Sequence, residues 1–354
     1  MSDMSVPVDC LNSIVNSTNL TFVRRATLNE CLFSKSAGFI LLLVVIISLI
    51  INIYSLSITE KNSQISTNDK ELTFGMFISS LFIIIISTPS VLIQCFLCRR
   101  LCLPIICRIE GFNSFFNGCT TMYMLVALSI IRYITTANSL FSINFQQKIK
   151  KYNLSLLTIC FILGSIWAVP PLFSHMSSYV PEGLGFHCGL DWYDTSLASR
   201  IYFFLLFIGV YFIPMIIIIY INISIQRTIY RLTHLHPTVL LEMNNIDTED
   251  LLCKHVSNTF SDEIKQRLQH LYDDQRFVIA TRISVIIYLI AWTPYSIIAL
   301  SQVFGVSFSL YKPWVMTLCA LLAKLSMIIN PIIYTFILKN REMPAMITIE
   351  EQLF

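Results

Sequence analysis

Long apolar stretches alternate with short polar ones along the chain. Windows of about 20 apolar residues, the length that crosses a bilayer core as a helix, fall near residues 37–59, 72–98, 105–135, 153–173, 200–226, 277–303 and 313–338. They are rich in Ile, Leu and Phe and show no period-two alternation, which favours helices over a membrane barrel. Polar clusters such as TEKNSQISTNDKE (59–71) and SINFQQKIKKYN (142–153) read as cytosolic loops, and the longest connection runs from about 231 to 275. The expected fold is an all-α membrane protein, a seven-transmembrane helix bundle over 37–340 with the N-terminus outside. Residues 1–36 are expected to be an extracellular glycosylated segment and 341–354 a short cytosolic tail.

Composition agrees with the pattern. Hydrophobic residues make up 55% and charged ones 13% of 354, more apolar material than one soluble core needs. The net charge of +3 is small and scattered, which sets nucleic acid aside as a partner and leaves membrane lipid. The polar N-terminus lacks the basic start and apolar run of a cleavable signal peptide, so the first helix is expected to direct its own insertion. Two sequons, starting at Asn16 and Asn19, are usable only outside the cytosol and set the orientation. Lys148, Lys150 and Lys151 on the inner side agree with it, whereas Arg99 and Arg100 on the outer side do not. Zincin, phosphate-loop and nucleophile-elbow motifs are absent, which argues against an enzyme. His234 and His236 in the long connection read as solvated loop residues rather than metal ligands.

Cys107, at the outer end of the third helix, and Cys188, after the fourth, both face an oxidising compartment and are expected to be bridged, the alternative being two free buried thiols. Cys10, Cys31, Cys98 and Cys102 also lie outside, with their pairing open. Cys160 and Cys319 lie within spans and read as packing residues.

The stretch LLAKLSMIINPIIY places Lys324 inside the seventh window. A lysine at a bilayer centre costs about 2.5–3.5 kcal/mol and marks a functional site by default. At 1.5 Å per residue Lys324 is roughly 15–20 Å from either helix end, too far for its stem to reach water. It must therefore face the bundle interior and meet an anion, or lose its charge. Glu110 is the one carboxylate well inside a span, and Glu182 is close enough to Cys188 to be folded down beside it. Glu110, Asn113 or Ser114, Asn117 or Gly118, and Thr121 recur at helical spacing, a polar stripe suited to lining a cavity. A structural Lys324–Glu110 pair tying two helices together explains the same pattern.

The stretches AKLSMIINPIIY (323–334), AWTPY (291–295), CRIEGFNSFFNG (107–118), IRY (131–133) and YVPEGLGFHCGLDWY (179–193) resemble the opsins of the rhodopsin-like receptor superfamily, and the resemblance covers 37–340. It implies that Lys324 carries retinal, 11-cis or all-trans, as a Schiff base. Either Glu110 or Glu182 would be the counterion, with Trp292, Tyr295, Gly118 and Tyr211 around the polyene and Ser296 as a tuning hydroxyl. Arg132, Tyr133, Asp274, Asn330, Pro331 and Tyr334 would form the cytosolic switch to a heterotrimeric G protein at the plasma membrane. The chain departs from the pattern at Ile131, where an acid is usual, at Ser79 and Ser80, where an internal sodium site would need an aspartate, and at Phe161 and Asn222. The tail carries Thr348 as its one hydroxyl residue, so arrestin capture through it is expected to be weak. A non-signalling retinal photoisomerase, and a chemoreceptor or transporter whose lysine grips an anionic ligand, are the alternatives.

Overall fold

The computed structural model describes residues 22–25, 27–61, 70–101, 104–138, 143–173, 176–244, 279–305 and 312–339. Seven helices run through them: α1 (Leu28–Lys61), α2 (Lys70–Phe82, continued by Ile83–Ser87 and Thr88–Leu97), α3 (Pro104–Asn138), α4 (Ile143–Ala168), α5 (Leu197–Leu206, continued by Phe207–Phe212 and Ile213–Asn244), α6 (Ile279–Val303) and α7 (Pro313–Lys339). The first six are long and apolar enough to cross a membrane, and α7 has a shorter apolar stretch over Pro313–Ser326. Their outward faces are apolar too, as with the exposed Ile46, Ile47 and Ile50 of α1, which suits a lipid surroundings.

Several helices overrun their apolar windows. Helix α1 starts at Leu28, well before residue 37, because Thr27 and Glu30 form a reciprocal cap: the Thr27 N–H donates to Glu30 Oε2 at 2.9 Å and the Glu30 N–H to Thr27 Oγ1 at 3.4 Å. Helix α4 starts at Ile143, inside the cluster read as a loop, and ends where Pro170 and Pro171 open a 3₁₀ turn over Pro170–Phe173. Helix α5 runs on to Asn244, into the connection expected from about 231, because Ile225, Ile229, Leu232, Leu235 and Val239 sustain the helical repeat past the bilayer window. The side chains of His234 and His236 are not among those described, and Asn16, Asn19, Cys10, Cys102, Asp274 and 341–354 lie outside the described residues.

Two prolines reshape the helices that carry them. Pro89 in α2 and Pro214 in α5 each follow a π turn, Ile83–Ser87 and Phe207–Phe212. A proline lacks an N–H and its ring crowds the preceding turn, so the chain widens to i→i+5 bonding just before it. In α2 the Thr88 N–H and hydroxyl both reach the Ile83 carbonyl, the hydroxyl at 2.9 Å. The widened turn carries Ser87 and Ser90 toward α3, where Asn113 Nδ2 donates to Ser87 Oγ at 2.7 Å and to the Phe82 carbonyl at 3.1 Å. In α5 the freed Gly209 carbonyl accepts Tyr123 of α3 at 3.0 Å.

A hairpin closes one end of the bundle. Strands β3 (Tyr179–Glu182) and β4 (His187–Leu190) pair antiparallel, and their turn uses Gly183 and Gly185 at φ +55° and +83°. The turn docks on α7, with the Leu184 N–H donating to Thr317 Oγ1 at 2.9 Å. Among the described residues two disulfides hold the same end. Cys107–Cys188 ties α3 to β4, and Cys31–Cys98 ties the start of α1 to the end of α2. A second small sheet there pairs β1 (Phe22–Arg25) with β2 (Arg99–Leu101). Beyond the hairpin, the Asp194 carboxyl accepts the Ser199 hydroxyl at 2.6 Å, which holds it below the usual carboxylate range and fixes the start of α5.

The buried core divides along the bundle. Tyr179, Leu190, Trp192, Phe203 and Phe207 fill the hairpin end, and Phe77, Met122, Leu125, Leu128 and Tyr288 fill the other half. Helices α3 and α4 pack tightly at Gly164, where an added Cβ would run into the Thr120 side chain and lie 3.3 Å from the Thr120 backbone nitrogen. Gly164→Ala is expected to destabilise the bundle by about 1–3 kcal/mol through overpacking. A thermal melt of the purified protein reads this as a lowered midpoint.

Candidate functional site

Lys324 is the residue the bundle is built around. Helix α7 turns it inward, and it is buried, 8% exposed, with its Nζ 3.1 Å from Glu110 Oε1. Glu110 is 1% exposed, and three donors hold its carboxylate. Besides Lys324, the Cys188 N–H donates to Oε1 at 3.0 Å and the Ser90 hydroxyl to Oε2 at 2.9 Å. The polar stripe read from the sequence is buried along α3, at Glu110, Asn113, Ser114, Asn117 and Thr121. Below Glu110 the stripe serves structural ends: Asn113 pins the π turn of α2, and Asn117 Nδ2 donates to the Asn113 carbonyl at 2.7 Å.

Glu182 lies on the hairpin and is also buried, at 6% exposed. Its Oε1 accepts Trp192 Nε1 at 2.8 Å and the Tyr295 hydroxyl at 2.8 Å, and its Oε2 faces His187 Nε2 at 3.2 Å. Lys324 is paired with Glu110, so the two carboxylates read as alternatives have different partners: Glu110 balances the lysine and Glu182 joins an aromatic and imidazole network.

A cavity opens beside Lys324 and Glu182. Lys324, Glu182, His187, Ser114, Trp292 and Tyr295 line it, with Ala320 and Ala323 of α7 leaving room beside the amine. Trp292 and Tyr295 stand edge to face, ring centroids 5.9 Å apart, and Trp292 Nε1 donates to Ser326 Oγ at 3.1 Å. Gly118 and Tyr211, expected at the same wall, are not on it. The Gly118 carbonyl accepts the Tyr288 hydroxyl at 3.2 Å, and the Tyr211 hydroxyl bonds Thr293 Oγ1 at 2.7 Å. These bonds tie α6 to α3 and to α5, which accounts for two polar groups that sequence alone could not place.

Ser90, His187 and Trp192 were not singled out from the sequence. Ser90 had a signal, since Ser87 and Ser90 flank Pro89 at helical spacing in an apolar window. Trp192 and His187 lie in the quoted loop stretch, but only the hairpin register brings them to Glu182.

At the far end of α3, Arg132 is 1% exposed and Tyr133 is half-buried, and Ile131 packs into the core at 2% exposed. An apolar side chain suits that position, where the family pattern has an acid. Asn330 is buried on α7, and the backbones of Pro331 and Tyr334 continue the helix.

The description 7 transmembrane receptor (rhodopsin family) matches residues 51–334. The chain belongs to the rhodopsin family of seven-transmembrane receptors. The receptor is 32% identical to Melanopsin-A of Danio rerio over 228 residues, 64% of this chain and 35% of the relative. It is 30% identical to Melanopsin of Phodopus sungorus over 228 residues, 64% of this chain and 44% of that relative. The receptor thus spans less than half the length of these curated relatives. The fold matches the crystal structure of squid rhodopsin with a TM-score of 0.72 at 19% identity, over 88% of the receptor and 78% of the squid chain. Both the all-α seven-helix architecture and the reading of a multi-pass membrane receptor rather than an enzyme agree with this family.

Proposed function

We propose that the receptor is a light sensor that binds retinal covalently on Lys324, with Glu110 as the balancing anion. One observation carries this reading: a primary amine buried in the middle of a helix bundle, 3.1 Å from a buried carboxylate, opening on a cavity with Trp292 and Tyr295 on its walls. The residues fit the ligand, because a conjugated aldehyde needs an amine to attach to, an anion for the resulting cation and aromatic faces for its chain. The likeness to melanopsins supports it. Bound there, retinal supplies visible absorption and a light-driven change of shape. The chain's own part is electrostatic and mechanical. Glu110 fixes positive charge at the Lys324 end, the hairpin excludes water, and Trp292 and Tyr295 transmit displacement to α6.

In this reading the N-terminal segment with Asn16 and Asn19 is extracellular and glycosylated, the receptor resides in the plasma membrane, and 341–354 form a cytosolic tail. A heterotrimeric G protein is engaged at the end carrying Arg132, Tyr133, Asp274, Asn330, Pro331 and Tyr334. Arrestin engages the tail weakly. Either 11-cis or all-trans retinal is the resident isomer. A second reading, a photoisomerase without signalling, is favoured by Ile131, which removes the acid beside Arg132. Light-dependent nucleotide exchange on a G protein separates the two.

The test is reconstitution with retinal, followed by borohydride trapping and peptide mapping. The expected result is a light-sensitive visible band and an adduct on Lys324, both lost in Lys324→Ala. A colourless wild type, or an adduct elsewhere, rejects the reading.

A further inference from the structure

We infer that His187 sets the charge that Glu182 presents to the cavity and so tunes the wavelength to which the receptor responds, an assignment that rests on the light-sensing reading above. The hairpin register places Glu182 directly opposite His187, and their side chains meet at 3.2 Å between Nε2 and Oε2. Both line the cavity with Lys324, and both are almost wholly buried, at 1% and 5% side-chain exposure. The other hydrogen-bond partners of the Glu182 carboxylate among the described residues, Trp192 Nε1 and the Tyr295 hydroxyl, are neutral donors. They hold the carboxylate in place without cancelling its charge. His187 is the one described partner that can do so, because its imidazole can take up a second ring proton and become a cation.

The surrounding groups leave that role to it. Glu110 from α3 is paired with Lys324 from α7, Tyr295 from α6 donates to Glu182, and Asp191 follows β4, its carboxyl pushed up by burial first and then by Asp194 and Glu182. His187 Nδ1 is buried with no partner among the described residues. A proton arriving there would turn a neutral ring hydrogen-bonded to an anion into an ion pair, so the cavity loses a net negative charge at a carboxylate with which Lys324 does not pair. Light absorption by a conjugated cation shifts positive charge away from its nitrogen, so an anion further along lowers the absorbed energy and its neutralisation raises it.

The experiment has two arms. In the retinal-reconstituted wild type, acidification is expected to move the absorption maximum to shorter wavelength. His187→Gln, which keeps an N–H toward Glu182 but takes no proton, is expected to abolish that shift. A shift that persists in His187→Gln, or is missing in the wild type, overturns the assignment. In the ligand-free protein, thermal midpoints of His187→Phe, Glu182→Gln and the double variant form a cycle, and the double variant is expected to lose less than the sum of the single losses. Additive losses overturn the assignment whatever the colour. A wild type that forms no coloured complex while the cycle stays non-additive refutes the light-sensing reading and with it the tuning role, leaving His187 as the holder of Glu182 alone.

Discussion

In the retinal-reconstituted receptor at pH 7, Glu110→Gln is expected to replace the visible band by near-ultraviolet absorption, while Glu182→Gln keeps absorbance in the visible. The asymmetry follows from what each carboxylate touches. Glu110 Oε1 is 3.1 Å from Lys324 Nζ, and both side chains are buried. Removing one partner of a buried ion pair costs about 3–5 kcal/mol, because the other charge is left uncompensated. At 1.4 kcal/mol per tenfold, this favours an uncharged nitrogen by a factor of roughly a hundred to a few thousand. An uncharged conjugate absorbs in the ultraviolet. The Gln amide oxygen can still accept the Cys188 N–H, and its NH2 can donate to the Ser90 hydroxyl in place of the bond it accepted, so the fold should survive the change. Glu182 spends its oxygens on Trp192, Tyr295 and His187, so its loss changes tuning rather than the balance at the amine. Spectra of the two single variants decide the matter. A visible Glu110→Gln beside an ultraviolet Glu182→Gln would exchange the roles.

The seven spans and the buried lysine were legible because each is a local signal. A run of apolar residues long enough for a bilayer needs no tertiary knowledge, and a charge in the middle of one is conspicuous wherever it points. Glu110 followed from the same logic, being the one acid deep in a span. The choice between Glu110 and Glu182 did not follow, since it depends on how the β3–β4 hairpin folds into the bundle. The turn at Gly183 to Phe186 and the Cys107–Cys188 bridge bring Glu182 to Trp192 and Tyr295, while Lys324 pairs with Glu110. Helix ends were misread where polar residues stay helical beyond the apolar window, at Ile143 and from 231 to Asn244. The cap at Thr27 and Glu30 was in the sequence as TLNE, and the bilayer window hid it. Gly118 and Tyr211 were carried over from a resemblance, and the bonds they make between helices, with Tyr288 and Thr293, had no local signal in the sequence.

Cys188→Ser is expected to abolish the pigment and lower stability by about 2–5 kcal/mol, the usual effect of removing a native disulfide from a fold that depends on it. Cys31→Ser is expected to lose stability while keeping the visible band. Both bridges tie the same end of the bundle, but only Cys107–Cys188 touches the site. Cys188 lies opposite Pro181 in the hairpin and its N–H donates to Glu110 Oε1, the oxygen that also holds Lys324. Freeing β4 from α3 therefore removes a donor from the counterion and loosens the strand that carries His187, and with it the register that places Glu182. Cys31–Cys98 joins α1 to α2, and its loss leaves the Glu110 donors in place because Ser90 sits further along α2 and is fixed by the Pro89 turn. Yield of folded protein, thermal midpoint and absorbance per mole, measured together for the two variants, separate a general loss of fold from a loss of the site. A Cys188→Ser receptor with full absorbance would show that the lid holds its register without the bridge and that the Cys188 N–H is dispensable to the charge pair.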